Sequence, residues 1–264
     1  MNYTYSMDFK ENRLSIIIED IISEGQIDIK SLSKKLKVST MTIHRDIEEF
    51  TKRGVIKKEK GILSSSQIFT LEYFHDVRAK LNIQSKIKVA EEAVKIIQTN
   101  TFVGIDDSTT CLQFANFQKY FEGTTVVTNN IKLINIFSSN PKIKIISLGG
   151  RYNRPTGSFL GLSTENTASQ IPCHYLFMSS SSLDGTKLYT HDEDVFRTKA
   201  IQMINAEKKY YLCDTTKIGK KAMNIQADLS EFEKCFFAGP HFDKSFENFL
   251  EKRKVNFKYF KVKS

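Results

Sequence analysis

Apolar residues recur at helical spacing in three successive stretches of the first fifty residues, and each stretch ends at a stop signal. Leu14, Ile17, Ile18, Ile21 and Ile22 share one face of a predicted helix over 13–23, which ends at Gly25. Leu32 and Leu36 mark a second, shorter helix, closed by a tight turn ending at Val38. Ser39 follows as a good N-cap, because its hydroxyl accepts one of the orphan amides of the next helix. That helix sets Ile43, Ile47 and Phe50 on one face and leaves Thr40, Thr42, His44 and Arg45 on others. Gly54 stops it. Apolar pairs at 55–56 and 62–63 then flank Lys57, Lys58, Lys60 and Gly61, the pattern of a small hairpin with a basic tip. Three helices and a wing in this order predict a winged helix-turn-helix. Ser39, Thr40, Thr42, His44 and Arg45 would meet the major groove, and Lys57, Lys58 and Lys60 the phosphates.

Beyond this unit the hydrophobic period keeps changing. Ser64, Ser65 and Ser66 break the pattern and predict a hinge, which divides the chain into a DNA-binding domain (1–65), a connector (66–84) and a larger domain (85–264). Ile87, Ala90, Ala93, Val94 and Ile97 predict a helix over 85–98. Short apolar runs at 102–105, 124–128, 144–148, 175–178, 210–213, 236–238 and 257–260 then alternate with helical stretches at 110–121, 131–137, 195–206 and 242–251. Short buried strands alternating with helices predict a mostly parallel sheet covered on both faces, an α/β domain. Ligands of such sheets sit at the carboxyl ends of the strands.

Charge sharpens the reading of the first unit. Between Lys30 and Lys60 ten Lys and Arg face four Asp and Glu, an excess of six, and the whole 264-residue chain carries a net charge of +9. A polyanionic partner suits that balance, since each neutralised phosphate releases a counterion. Apolar residues make up 40% of the chain, enough for real cores, yet no apolar run approaches the ~20 residues a membrane helix needs. The first residues carry acids and no apolar signal region, so a cytoplasmic protein is expected. Cys111, Cys173, Cys213 and Cys235 lie far apart, with no metal-ligand spacing, and are expected to be buried thiols. No metal or cofactor is anticipated.

Four predicted strand ends carry chemistry: Asp106-Asp107-Ser108-Thr109-Thr110, Thr128-Asn129-Asn130, Gly149-Gly150-Arg151 and Asp214-Thr215-Thr216-Lys217. Hydroxyls and free amides at a helix start cradle phosphate, and paired glycines permit close backbone approach. Each cluster alone reads equally as a turn or cap. Converging on one rim, and joined by Lys199 from the preceding helix, they form a polar pocket for a phosphorylated polyol or sugar.

The residues also resemble those of the DeoR family of bacterial transcription regulators along nearly the whole chain. Val38-Ser39 with Thr42-Ile43-His44-Arg45-Asp46 is similar to that family's recognition-helix signature. Arg78, Asn82 and Lys86 resemble its connector, and D-D-S-T-T at 106–110, T-N-N at 128–130, G-G at 149–150, Gly161 and D-T-T-K at 214–217 follow the order of its sensor domain. The resemblance implies a sensor domain similar in fold to ribose-5-phosphate isomerase and a regulator, a repressor foremost, of carbohydrate genes. Its partners would be an operator duplex, a phosphorylated sugar and further copies of itself, as a homodimer or homotetramer, with no membrane contact. The implied effector site comprises Asp106, Ser108, Thr109, Thr110, Thr128, Asn129, Gly149, Gly150, Lys199, Asp214 and Lys217, with residues 191–194 closing over it. Three departures stand out: His44 for the first arginine of the signature, Lys60-Gly61-Ile62 in the wing, and Ser108 for a glycine, where a Cβ crowds the loop if φ is positive. The serines from Ser179 to Ser182 also stand where the family has glycines. An isomerase-like enzyme and a constitutive DNA-binding protein with a degenerate pocket are the alternatives.

Overall fold

In the computed structural model the chain divides into two compact units, Met1–Leu81 and Asn82–Ser264. The structure describes residues 13, 16–18, 20, 21, 24–52, 56–65, 78, 79 and 81–263. Leu14, Ile22, Gly54, Val55 and Ser66, each given a part by the sequence pattern, lie outside the described residues.

Helical residues 13, 16–18, 20, 21 and 24 open the first unit. Strand β1 (Gln26–Asp28), helix α1 (Ile29–Leu36), helix α2 (Thr40–Lys52) and the antiparallel pair β2 (Ile56–Glu59) and β3 (Ile62–Ser65) follow. The predicted apolar faces meet in one core, where Ile17, Ile18, Ile21, Leu32, Ile43 and Leu63 are wholly buried and Ile47 and Phe50 nearly so. Asp28 caps α1 by accepting the Ser31 amide at 2.9 Å. The helix closes at Lys37 in the left-handed region (φ 52), where the Val38 amide turns back to the Ser33 carbonyl at 3.1 Å. Ser39 Oγ then accepts the Thr42 amide at 3.1 Å, the cap its position predicted. At the wing tip Lys60 (φ 49) and Gly61 (φ 85) are both left-handed, the two-residue turn whose twist matches a hairpin.

The predicted hinge is corrected at two of its three serines. Ser64 and Ser65 belong to β3, opposite Gln26 and Ile56 respectively. The sequence pattern missed β1, whose pairing supplies backbone partners that the serine side chains themselves do not signal.

The second unit carries a seven-stranded sheet in the order β15-β14-β12-β9-β4-β5-β6. Its strands are β4 (Phe102–Ile105), β5 (Thr125–Thr128), β6 (Lys144–Ser147), β9 (Cys173–Met178), β12 (Ala206–Asp214), β14 (Lys234–Gly239) and β15 (Phe257–Lys261). Every pairing in it is parallel. Helix α3 (Ile83–Ala93) packs on β12 and β14, while α4 (Ile131–Ser138), α5 (Leu162–Ser169), α6 (Glu193–Ile204) and α7 (Lys244–Lys252) complete the layers. Tyr211, Phe237, Leu183 and Leu229 are wholly buried in one cluster of this core.

Several predicted elements change shape. The helix expected over 85–98 ends as α3 at Ala93 and continues as a 3-10 turn, Val94–Ile96. The segment expected to be helical over 110–121 is 3-10 over Cys111–Phe121 and breaks at Phe117 (φ −125, ψ 32). Apolar spacing does not separate these two helix types, which share i to i+3 contacts. Also missed were the hairpin of β7 (Arg151–Asn153) and β8 (Ser158–Leu160), helix α5, and an antiparallel side sheet of β10 (Ser182–Asp184), β11 (Lys187–Thr190) and β13 (Asn224–Asp228). These are three- to five-residue strands, too short for alternation to register, and α5 has almost no apolar face. All four cysteines are buried free thiols, and burial holds the Cys173 thiol up at about 11 and Cys213 at about 12. No described helix is long and apolar enough to cross a membrane.

Candidate functional sites: a helix-turn-helix with a basic wing and a polar rim on the parallel sheet

In the first unit, α2 buries Ile43, Asp46, Ile47 and Phe50. Asp46 is held by Arg13 of the opening helix through Nε to Oδ2 at 2.9 Å and Nη2 to Oδ1 at 3.3 Å. This paired burial fixes the roll of α2, and so decides which residues face outward. Ser39, Thr40 and Arg45 are exposed, whereas Thr42 and His44 are half-buried on the flanks. The Thr42 hydroxyl lies 2.9 Å from Ser39 Oγ, so it is engaged in the cap as well as available at the surface. Lys57, Lys58 and Lys60 are all exposed on the wing. Met41, 74% exposed on the same helix, was not among the residues singled out in the sequence.

In the second unit, strand order locates the other site. From β4 the chain builds outward through β5 and β6, then returns to the other side of β4 with β9 and continues to β12, β14 and β15. The order reverses between β4 and β9, and such a reversal opens a crevice at the strands' carboxyl ends. Asp106 directly follows β4 and Ser179 directly follows β9. Asp214 ends β12, and Asn129 directly follows β5.

Asp106 is wholly buried and both its oxygens are engaged. Oδ1 accepts the Ser108 amide at 3.0 Å and the Ser108 hydroxyl at 2.6 Å; Oδ2 accepts the Ser179 amide and Lys199 Nζ, each at 2.8 Å. Lys199 also donates to the Ser179 carbonyl at 2.8 Å and lies 3.4 Å from Asp107 Oδ1. Burial alone would raise the Asp106 carboxyl, but the Lys199 charge and these donors bring it below the ordinary range. Asp107 goes the other way: burial raises it and the Asp106 charge adds to that, against the pull of Lys199. For Lys199, burial opposes the charge, and the two carboxylates overcome it and hold the ammonium above its ordinary range. Asp106 and Lys199 are therefore the frame of this rim, with their polar atoms turned to protein rather than to an incoming molecule.

Ser108 does not take the strained conformation that would make its Cβ crowd the loop. Among described non-glycine residues only Lys37, Lys60, Asn82, Asn100 and Lys254 have positive φ. Besides binding Asp106, Ser108 Oγ accepts the Cys111 amide at 3.1 Å. The next two residues meet lysines. Lys86 Nζ, from α3, donates to Thr109 Oγ1 at 3.2 Å, and Lys217 Nζ donates to Thr110 Oγ1 at 3.1 Å and Ser179 Oγ at 2.8 Å. Two ammonium groups thus converge on consecutive threonines in the loop between β4 and the 3-10 segment. Asp214, 3.7 Å from Lys217, balances them; burial opposes its charge, and Lys217, Lys86 and Thr216 bring its carboxyl below the ordinary range. Asn82 donates to Asp214 Oδ1 at 3.4 Å and to Thr216 Oγ1 at 3.0 Å.

The remaining predicted residues fall into two groups. Thr128 and Asn130 are spent on the protein itself: Thr128 Oγ1 accepts the Asn130 amide at 3.1 Å, Asn130 Oδ1 caps α4, and Asn130 Nδ2 donates to the Asp107 carbonyl at 3.3 Å. Asn129 is different. Its Nδ2 donates to the Phe159 carbonyl at 3.0 Å, but its buried Oδ1 has no partner, and a buried acceptor without a donor is costly. Gly149 and Gly150 turn the chain out of β6, and a Cβ on Gly150 would come within 2.1 Å of Thr164 Oγ1. Asp192 caps α6 by accepting the Val195 amide at 2.9 Å, and Asp194 pairs with Arg151 at 2.6 Å. The sequence pattern missed Lys86, Asn82 and Ser179 as rim residues; Lys86 and Asn82 were visible only as part of the connector resemblance. No described group of three or more His, Cys, Asp or Glu side chains could hold a metal.

Two family models match the chain, the DeoR-like helix-turn-helix domain at residues 13–68 and the DeoR C terminal sensor domain at 81–237. The HTH-type transcriptional regulator IolR of Bacillus subtilis (strain 168) is 27% identical over 92% of this chain and 96% of that protein. The lactose phosphotransferase system repressor of Lactococcus lactis subsp. lactis is 27% identical over 80% of this chain and 84% of its own length. Among solved structures, ribose 5 phosphate isomerase A from Neisseria gonorrhoeae matches at a TM-score of 0.38 and 16% identity over 51% of this chain and 53% of that one, too remote to bear on fold or chemistry. With a basic helix-turn-helix and a parallel-sheet sensor unit joined in the order of these full-length regulators, the chain belongs to the DeoR family of transcription regulators.

Proposed function

We propose that the protein is a cytoplasmic repressor of carbohydrate genes whose grip on its operator is set by a phosphorylated sugar. The convergence of Lys86 and Lys217 on Thr109 and Thr110, at the strand-order reversal, carries this reading. In it the phosphate lies against the Ser108–Thr110 loop between the two ammonium groups, and a sugar hydroxyl donates to the unpartnered Asn129 Oδ1 while others meet Asp214. Gly149 and Gly150 line the approach, and Asp106 with Lys199 holds the loop in shape. The lactose phosphotransferase repressor among the relatives supports the sugar-linked role.

On the DNA side, Arg45 reads a base edge, with Ser39, Thr40, Thr42 and His44 beside it, and Lys57, Lys58 and Lys60 hold phosphates. Two copies, or four, place paired helices on a palindromic operator. Such a regulator releases DNA only if the effector binds two arrangements of the protein with different affinity.

The test is selection of duplexes from a random pool, followed by titration of sugar phosphates against the selected duplex. One phosphosugar should weaken operator binding, and its unphosphorylated parent should not. A panel that shifts neither melting temperature nor operator affinity would count against the sensor half of the proposal. For the DNA half, Arg45→Ala should weaken the selected duplex roughly tenfold to a hundredfold while leaving random DNA nearly unchanged. Lys57→Ala should weaken both alike and reduce the salt dependence by about one released ion. Equal losses for Arg45→Ala on the two kinds of DNA would remove its base-reading role.

A further inference from the structure

We propose that Met41 reads a thymine in the major groove, by contact of its side chain with the C5-methyl group. This rests on α2 being the DNA-reading helix and extends that reading to a residue outside the polar set. Counting round α2 from its buried face, Met41, Arg45, Glu48 and Lys52 fall at i, i+4, i+7 and i+11, the line directly opposite Ile43, Ile47 and Phe50. Three of these four are charged, and Glu48 and Lys52 are joined at 2.7 Å. Met41 is the apolar member and is 74% exposed. Thr40, Thr42 and His44 lie nearer the flanks, so Met41 and Arg45 form the leading edge of the helix at its first turns.

A single exposed apolar side chain is ordinary on a protein surface. Its position here is what singles it out. The opening residues of a recognition helix are the ones that reach base edges, and the first turn of α2 holds no acidic residue to repel phosphate. In the major groove the apolar feature on offer is the thymine methyl, and only that base pair displays it. Methionine is long, unbranched and polarisable, so it can follow the groove floor where a stiff side chain would have to be placed by the backbone. Arg45, one turn further on, would read guanine beside it by hydrogen bonds. Apolar and bidentate contacts in adjacent turns give the helix two different kinds of discrimination.

Uracil tests this directly, because replacing thymine with deoxyuridine removes the methyl and leaves pairing and charge intact. Duplexes are selected from a random pool with the full wild-type chain, and each thymine of the selected site is then replaced in turn. For wild type, at least one thymine per half-site should lose roughly fourfold in affinity on replacement, the worth of one buried methyl. Met41→Ala and Met41→Gln should lose at least as much on the thymine duplex and nothing further when that same thymine becomes uracil. Random-duplex affinity should stay within twofold, and circular dichroism should show unchanged helix content. Losses that simply add at every thymine, or variants that bind the selected duplex like wild type, overturn the assignment. So does a Met41→Ala variant whose change is in sedimentation, which would mean that a second copy covers this side chain. If wild type enriches no duplex at all, the DNA-reading role of α2 falls too, an outcome distinct from the others.

Discussion

Lys199→Met is expected to cost about 3–5 kcal/mol of folding stability, because it strands the Asp106 charge in the interior. The side chains of this pair are almost wholly buried, 6% and 0% exposed, and solvent cannot take over the role of the lost ammonium. For a unit of this size the melting temperature should fall by roughly 6–20 °C. Adding Asp106→Asn removes the second charge, so the double variant should lose less than the two single losses combined. A change of under 2 °C for Lys199→Met would show that the pair is not what holds this rim. The pair also sets the pH response. Asp106 lies below its ordinary value, so its contribution is complete above the unfolded carboxyl range and disappears as pH falls through the folded value. Asp107, displaced upward, works against this loss, since the fold takes up its proton more readily than the unfolded chain does. Lys199 lies above its ordinary 10.5, so its contribution is complete below that value and is lost as pH rises beyond it. Chemical denaturation across pH should therefore show an alkaline decline that is shallower in Lys199→Met than in wild type, the raised buried thiols contributing to it in both.

Lys217→Met should leave the protein folded and bound to its operator while raising the phosphosugar concentration needed for release by roughly tenfold to a hundredfold. A charge-assisted hydrogen bond to phosphate is worth about 1.5–3 kcal/mol, which corresponds to that range. Lys217 is less buried than Lys199; its hydrogen bonds, to Thr110 Oγ1 and Ser179 Oγ, go to neutral hydroxyls, and the Asp214 carboxylate lies farther off at 3.7 Å. Its loss leaves Asp214 next to Lys86 and Thr216, which continue to favour the charged carboxylate. Release at unchanged concentration would place the phosphate elsewhere, and loss of operator binding without effector would make Lys217 part of the fold instead. Isothermal titration of the same variants separates weaker effector binding from weaker coupling.

The amino-acid sequence by itself determined the helix-turn-helix, because Ile43, Ile47 and Phe50 at helical spacing, the Ser39 cap and the Lys60-Gly61 turn are each local consequences of residue type. It also determined the main parallel strands and the four polar strand ends, since buried strands read as short apolar runs whose ends need turn residues. Tertiary structure decided which of those ends meet. The reversal between β4 and β9 joins Asp106 to Ser179, 73 residues away, and brings Lys86 and Lys217 to neighbouring threonines. It also decided roles within the site: Asp106 and Lys199, which look like ligand-binding groups in sequence, spend their polar atoms on each other. Periodicity reports how a segment meets its own neighbours along the chain. Which distant segment lies opposite, and whether a charged side chain faces a partner or an open rim, depends on packing across the sheet.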